Sequence, residues 1–243
     1  MTTAVHPIKT TPGSRAYGAA TTSRLPGAIP YKGDDWAQNL ARWMAWPLLA
    51  MGFMAVLAGL ATGIAGGVNF GDAFSPSAQL ADLGRAEALV QVTGAFLFLG
   101  MGLILGGITM TLVNVVRSLR DAGRDVQESL GAEPVQLDKP WSGKLTPHVM
   151  LMGVMVEVAA FVIGIVAATT IGGVSPAALA DPATAGAGDI ADIGFVRAVS
   201  AWLPGLRLFG LALILGSVVL TLTTIQRSIR FQGHRIAELA RAA

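Results

Sequence analysis

The chain has 243 residues, 53% of them hydrophobic and only 13% charged, and its formal net charge is +2. A soluble domain carries about 25% charged residues, so the composition points to the membrane, and a charge this small without a basic domain excludes a nucleic-acid footprint. Cysteine is absent, which removes disulfides, thiolate metal sites and Cys nucleophiles together.

Residues 1–33 read as a polar cytoplasmic tail. They are rich in Thr, Gly, Pro and Ala and contain no apolar core of a signal peptide. If this tail is ordered, a partner chain or the protein's own helices must hold it, because free termini are seldom fixed.

Four stretches reach the roughly 20 apolar residues needed to cross a bilayer. They are Trp43 to Val68, Val92 to Val116, Val149 to Val174 and Leu208 to Ile225. Trp36 at the head of the first reads as an interfacial anchor with a short helix of its own. Five Lys or Arg precede the first span, five lie between the second and third, and four follow the fourth. The other side has only Arg85, Arg197 and Arg207. The positive-inside rule therefore predicts cytoplasmic termini. Trp43, Trp46 and Trp141 mark the inner interface and Trp202 the outer one. The Ala-, Gly- and Arg-rich, Lys-poor usage suggests a bacterial plasma membrane.

A shift of 110 lays Gly100, Leu103, Ile104, Leu105 and Gly106 on Gly210, Leu213, Ile214, Leu215 and Gly216, and Thr111, Arg117, Ser118, Arg120 and Gly123 on Thr221, Arg227, Ser228, Arg230 and Gly233. A shift of 106 pairs Gly66, Gly67 and Val68 with Gly172, Gly173 and Val174, and one of 105 pairs Trp36 with Trp141. The expected fold is thus all-α: four transmembrane helices as two tandem, parallel two-helix repeats related by a pseudo-twofold axis along the membrane normal. The first repeat covers 34–132, a linker covers 133–147, and the second repeat covers 148–243.

Small residues recur at four-residue spacing and predict close helix packing. These are Gly59, Gly63 and Gly67 in the first helix, Gly102 and Gly106 in the second, Ala160, Gly164, Ala168 and Gly172 in the third, and Ala212 and Gly216 in the fourth. Beyond the membrane, Val116, Leu119, Val126 and Leu130, and likewise Ile225, Ile229, Ile236 and Leu239, form apolar stripes on basic amphipathic extensions. Such stretches could lie on anionic headgroups, pack on a neighbouring subunit, or simply be solvated. Gly123 and Gly233 are candidate bends.

Within the spans the single formal charge is Glu157, a functional candidate by default. With Pro147 at the first helical position and Thr146 as cap, it lies about 15 Å into its helix at 1.5 Å per residue. Ser217 is nearly level with it, so a hydrogen bond from a protonated Glu157 to Ser217 or to a neighbouring chain is expected. A proton or cation path and a contact with a cofactor are the alternatives. Position 51, its counterpart at a shift of 106, is Met51. Arg207 sits too high to pair with it and should snorkel to the outer interface. No His lies in a span, so no haem or metal site is expected. Asp121, Asp125 and Glu128 sit among arginines, where helix-surface salt bridges explain them.

No catalytic residue and no cofactor is assigned. The expectation is a non-catalytic accessory or structural subunit of a larger membrane complex, with other membrane subunits and lipids as partners. A small oligomeric channel or carrier using Glu157 is the alternative. An enzyme with a lipid or quinone site between helices has the least in the sequence behind it.

Overall fold

The computed structural model describes residues 25–32, 36–73 and 80–242. The polar tail before residue 25, with His6, lies outside them, as does residue 243. The chain forms a short strand β1 (Ala28–Pro30), helices α1 (Trp36–Ala73) and α2 (Leu80–Ser129), strand β2 (Val135–Leu137), helix α3 (Trp141–Gly173), a one-turn helix α4 (Pro176–Ala180), a 3-10 turn (Pro182–Thr184) and helix α5 (Ala187–Ala242). Four of the helices are long and apolar enough to cross a membrane, as the sequence predicts. At 1.5 Å per residue the 50 residues of α2 and the 56 of α5 span about 75 and 84 Å. Both far exceed a hydrocarbon core of about 30 Å.

Several local expectations are corrected. Trp36 begins α1 itself, and among the described residues no separate interfacial helix precedes the span. Helix α3 starts at Trp141 after Pro140, so Pro147 and Thr146 lie inside it, and the Thr146 hydroxyl donates to the Ser142 carbonyl at 2.9 Å instead of capping. Both α2 and α5 run on through Gly123 and Gly233. Gly123 is needed for packing, since a Cβ there would collide with the Gln232 side chain.

Helix α2 ends where Gly131 takes φ +70°, a left-handed turn that suits glycine. The chain then folds back as β2, which pairs antiparallel with β1: Ala28 lies opposite Leu137 and Pro30 opposite Val135. Tyr31 adds a hydrogen bond from its hydroxyl to Asp121 at 2.6 Å, and Arg124 stacks 5.1 Å from its ring. Residues 25–32 are therefore held by their own chain.

Helix α2 is the hub. It packs against α1, α3 and α5, while α3 and α5 pack on each other. Two of its faces carry glycine. Toward α1, Cβ atoms on Gly100 and Gly107 would meet Val56 at 2.7 Å and Leu49 at 2.6 Å. Toward α3, Gly102 meets Glu157 and Gly106 meets Val154. Equivalent contacts recur in the other pair. Gly52 faces the Ile104 amide at 2.8 Å and the Gly100 carbonyl at 2.9 Å; Gly153 faces the Ile214 amide and the Gly210 carbonyl, both at 3.0 Å. These contacts align α1 with α3 at a shift of 101, not 105 or 106.

Of the small residues expected at interfaces, Gly59 faces Leu97, Gly63 faces Thr93, Gly164 faces Ala95 and Gly172 faces Ala88, while Ala160 and Ala168 are buried. Gly216 touches Val149 only at 4.0 Å. Gly67 is corrected: a Cβ there would meet nothing within 4 Å, and it is Gly66 that faces Leu89. The expected pseudo-twofold is not formed either. A twofold would set α1 against α5 as α3 is set against α2, and α1 makes no comparable contact with α5.

Replacing Gly153 with Leu should lower stability by about 1–3 kcal/mol, since the new side chain meets backbone as well as Ile214. Gly67→Ala should stay within about 0.5 kcal/mol or gain slightly. Thermal unfolding in detergent checks this, and equal losses at the two sites would refute the packing.

Candidate functional site

Glu157, on α3, is buried at 2% exposure, and its stem lies between two glycines of different helices. A Cβ on Gly102 of α2 would come 3.0 Å from its Cγ, and one on Gly210 of α5 would come 2.6 Å from Oε1. The carboxyl group fits only because both positions lack a side chain. By the contact alignment its place in the first helix pair is taken by Val56, which packs on Gly100 as Glu157 packs on Gly210. Met51, the counterpart expected from the sequence, is 58% exposed.

Arg207 does not snorkel to the outside. It is 6% exposed and points into the bundle, with Nη1 2.7 Å from where a Gly94 Cβ would be and Nη2 at the same distance from a Gly164 Cβ. Its guanidinium carbon lies 5.5 Å from the centre of the Phe98 ring, a cation–π contact. Helix direction explains the geometry. Side chains lean toward the helix N-terminus, and α5 packs antiparallel to α3, so the Arg207 and Glu157 side chains diverge along the bundle. No ion pair within 4 Å joins them among the described residues. No side chain hydrogen-bonds either Glu157 oxygen, and Arg207 Nε and Nη2 are buried without partners.

The expected bond from Glu157 to Ser217 is not formed. Ser217 is fully buried, donates to the Ile214 carbonyl at 2.6 Å and shares a 3.1 Å contact with the Thr109 hydroxyl. The sequence reading missed Thr109, although it lies seven residues beyond Gly102 on the same face of α2. These two hydroxyls begin a buried polar line on α5. Below Ser217 come Thr221, Thr224, Ser228 and Arg235, each under 9% exposed. Thr221 and Thr224 donate to the Ser217 and Leu220 carbonyls, the i−4 bonding that satisfies hydroxyls in apolar helices. Ser142 of α3 meets Thr224 at 3.0 Å.

The line ends in a knot around Gln127, which is fully buried. Its amide nitrogen donates to the Gly123 and Val135 carbonyls, and its oxygen accepts from the Val135 amide and, at 3.5 Å, from Arg235. Arg235, 1% exposed, also pairs with Glu238 at 2.8 Å. One side chain thus ties α2, β2 and α5 together. The three acids of the α2 extension pair with neighbouring arginines: Arg117 with Asp121, and Arg124 with Asp125 and Glu128. No cluster of three His, Cys, Asp or Glu fit to hold a metal occurs among the described residues.

No family model matches this chain, and neither a curated protein nor a solved structure matches it.

A double-mutant cycle with Glu157→Gln and Arg207→Gln should give a coupling of about 0.5–2 kcal/mol in detergent unfolding, as two opposite charges in one dry interface require. A coupling of zero would mean that each is held independently.

Proposed function

We propose that the chain is a non-catalytic structural or accessory subunit of a larger membrane assembly, and that the extensions of α2 and α5 form its docking stalk. One observation carries this reading. The face of α5 buried against α2 is the partly polar one of Ser228, Phe231, Arg235 and Leu239, whereas Ile229 and Ile236 are 53% and 41% exposed. Ile236 is eleven residues, about 16 Å, past Ile225, where the apolar stretch ends. An apolar edge that far from the hydrocarbon is not covered by lipid chains, and a second protein surface is what it fits. Val126 and Leu130 leave a similar edge on α2.

The same proposal takes the two helix pairs as a tandem repeat in parallel orientation. The 110-residue identities and the matched Gly52 and Gly153 contacts support it. It sets both termini in the cytoplasm of a bacterium, on the Lys and Arg distribution.

Mild-detergent purification of the native assembly, with mass spectrometry of every stoichiometric chain, tests this. Ile229→Glu with Ile236→Glu should release the partner chains while the subunit remains folded in the membrane. Recovery of a pure homo-oligomer from the unaltered protein would overturn the reading.

A proton path is the second reading, and the unbonded Glu157 oxygens above the buried hydroxyl line favour it. Under it, liposomes holding the protein dissipate a pH gradient and the Glu157→Gln protein does not. Equal leak rates would remove it.

A further inference from the structure

Past Ile225, α5 runs on to Ala242 without a break. The one acid of this extension, Glu238, is taken by the buried Arg235 at 2.8 Å. Arg227, Arg230 and Arg241 are exposed, and among the described residues none of them lies within 4 Å of a carboxylate. At 3.6 residues per turn Ile229, Gly233, Ile236 and Ala240 fall within about 60° of one another. All four are exposed, on the side of α5 away from the face buried against α2. Beside this seam Arg227, Arg230, His234 and Arg241 form a row along one edge.

Gly233 sits in the middle of the seam, between the two isoleucines. A glycine inside a helix weakens it, and this one has no reason within its own chain, since a Cβ there would meet nothing within 4 Å. Gly123, its equivalent at a shift of 110, is different: the Gln232 side chain fills the space beside it. A bare backbone notch between two exposed isoleucines is what close approach of another backbone requires.

We propose that a helix of a partner chain crosses α5 at Gly233, with apolar side chains between Ile229 and Ile236 and Asp or Glu residues against Arg230 and Arg241. The inference rests on the docking reading above and names the chemistry of the partner. Opposite charge beside an apolar seam fixes which helices pair and in what register. A lipid surface does not account for the row. Ile236 and Arg241 lie about 16 and 24 Å past Ile225, whereas a headgroup layer is roughly 5–8 Å thick, so only Arg227 and Arg230 stand near it. A second copy fits no better. Its own α5 would set arginine against arginine, and the acids of its α2 extension are matched to Arg117 and Arg124.

The test uses the native assembly in membranes. The photoreactive residue benzoylphenylalanine in place of Ala237, which is exposed beside the seam, should cross-link a different chain. Mass spectrometry should place the adduct on a segment whose apolar residues recur at helical spacing beside Asp or Glu. Gly233→Leu should cut the partner retained after mild-detergent purification about ten-fold, while the subunit alone unfolds at or above the temperature of the unaltered protein. Arg230→Gln with Arg241→Gln should weaken retention about five-fold, and the paired Lys variants should restore most of it. With partner chains still co-purifying, adducts on lipid, on a second copy or on a segment without acids would overturn this proposal alone, as would full retention in Gly233→Leu. A pure homo-oligomer would remove the docking reading and this proposal together.

Discussion

Close approach of α2 to three other helices is the constraint on which the rest of this structure depends. Between apolar helices in lipid no hydrophobic effect favours association, because hydrocarbon is as good a neighbour as Leu. Contact must then come from dispersion at short range and from polar groups removed from lipid. Glycine supplies the first. Gly52 on Gly100, Gly153 on Gly210 and Gly107 on Leu49 bring backbone to backbone, where any Cβ would intrude. Once the axes are that close, the buried face has room only for groups that fill a glycine's vacant space. Glu157 and Arg207 do so, each lying across two of them.

The second consequence is a mixed buried face. In water an amphipathic helix hides its apolar stripe and shows its polar one. Here α5 hides Ser217, Thr221, Thr224 and Ser228 together with Leu203, Leu211 and Ile214, and shows Leu208, Phe209, Leu215 and Val219. Each buried hydroxyl can be satisfied within its own helix through an i−4 carbonyl. The line therefore costs little and still leaves spare lone pairs for cross-helix bonds such as Ser142 to Thr224. Toward the C-terminal end of α5 the mixed face continues: the helix keeps a partly polar face on α2 around Gln127 and Arg235. That is why its isoleucines stay outside.

Much of this was legible in the sequence, and the parts that were not have physical reasons. The four spans were legible because 20 apolar residues have few other uses. Glu157 was legible as an oddity. Its surroundings were not, because they depend on which way each helix turns, and a shift of 101 or 106 between α1 and α3 turns the helix by about 140° at 3.6 residues per turn. That rotation exchanged Met51 for Val56, while Gly67 followed from extending the four-residue ridge of Gly59 and Gly63 one position too far around α1, where Gly66 makes the contact. Arg207 was misread from its height alone, since height does not say which face of α5 it occupies. The strand pair was invisible because three residues each, one of them Pro30, carry no alternation to read. The stripes on the extensions were legible as apolar, but which of their residues face the bundle was not: Val116 and Leu239 are buried, whereas Val126, Leu130, Ile229 and Ile236 are exposed.

The arrangement of α1 carries the argument one step further. If the halves descend from one hairpin, then α1 and α3 began with the same opportunities, yet α3 packs closely on both α2 and α5, whereas α1 packs chiefly on α2 and shares only a small apolar cluster, Ala41 and Ala45 with Met150, with α3. The difference follows from Glu157. On α3 it reaches Gly102 and Gly210 at once and draws α2 and α5 around one polar centre. On α1 the matching position is Val56, which needs only the groove beside Gly100. A charge that must leave lipid demands several walls, and a valine does not. Under the proposed duplication, a single buried carboxylate in one helix pair accounts for the unequal packing of α1 and α3.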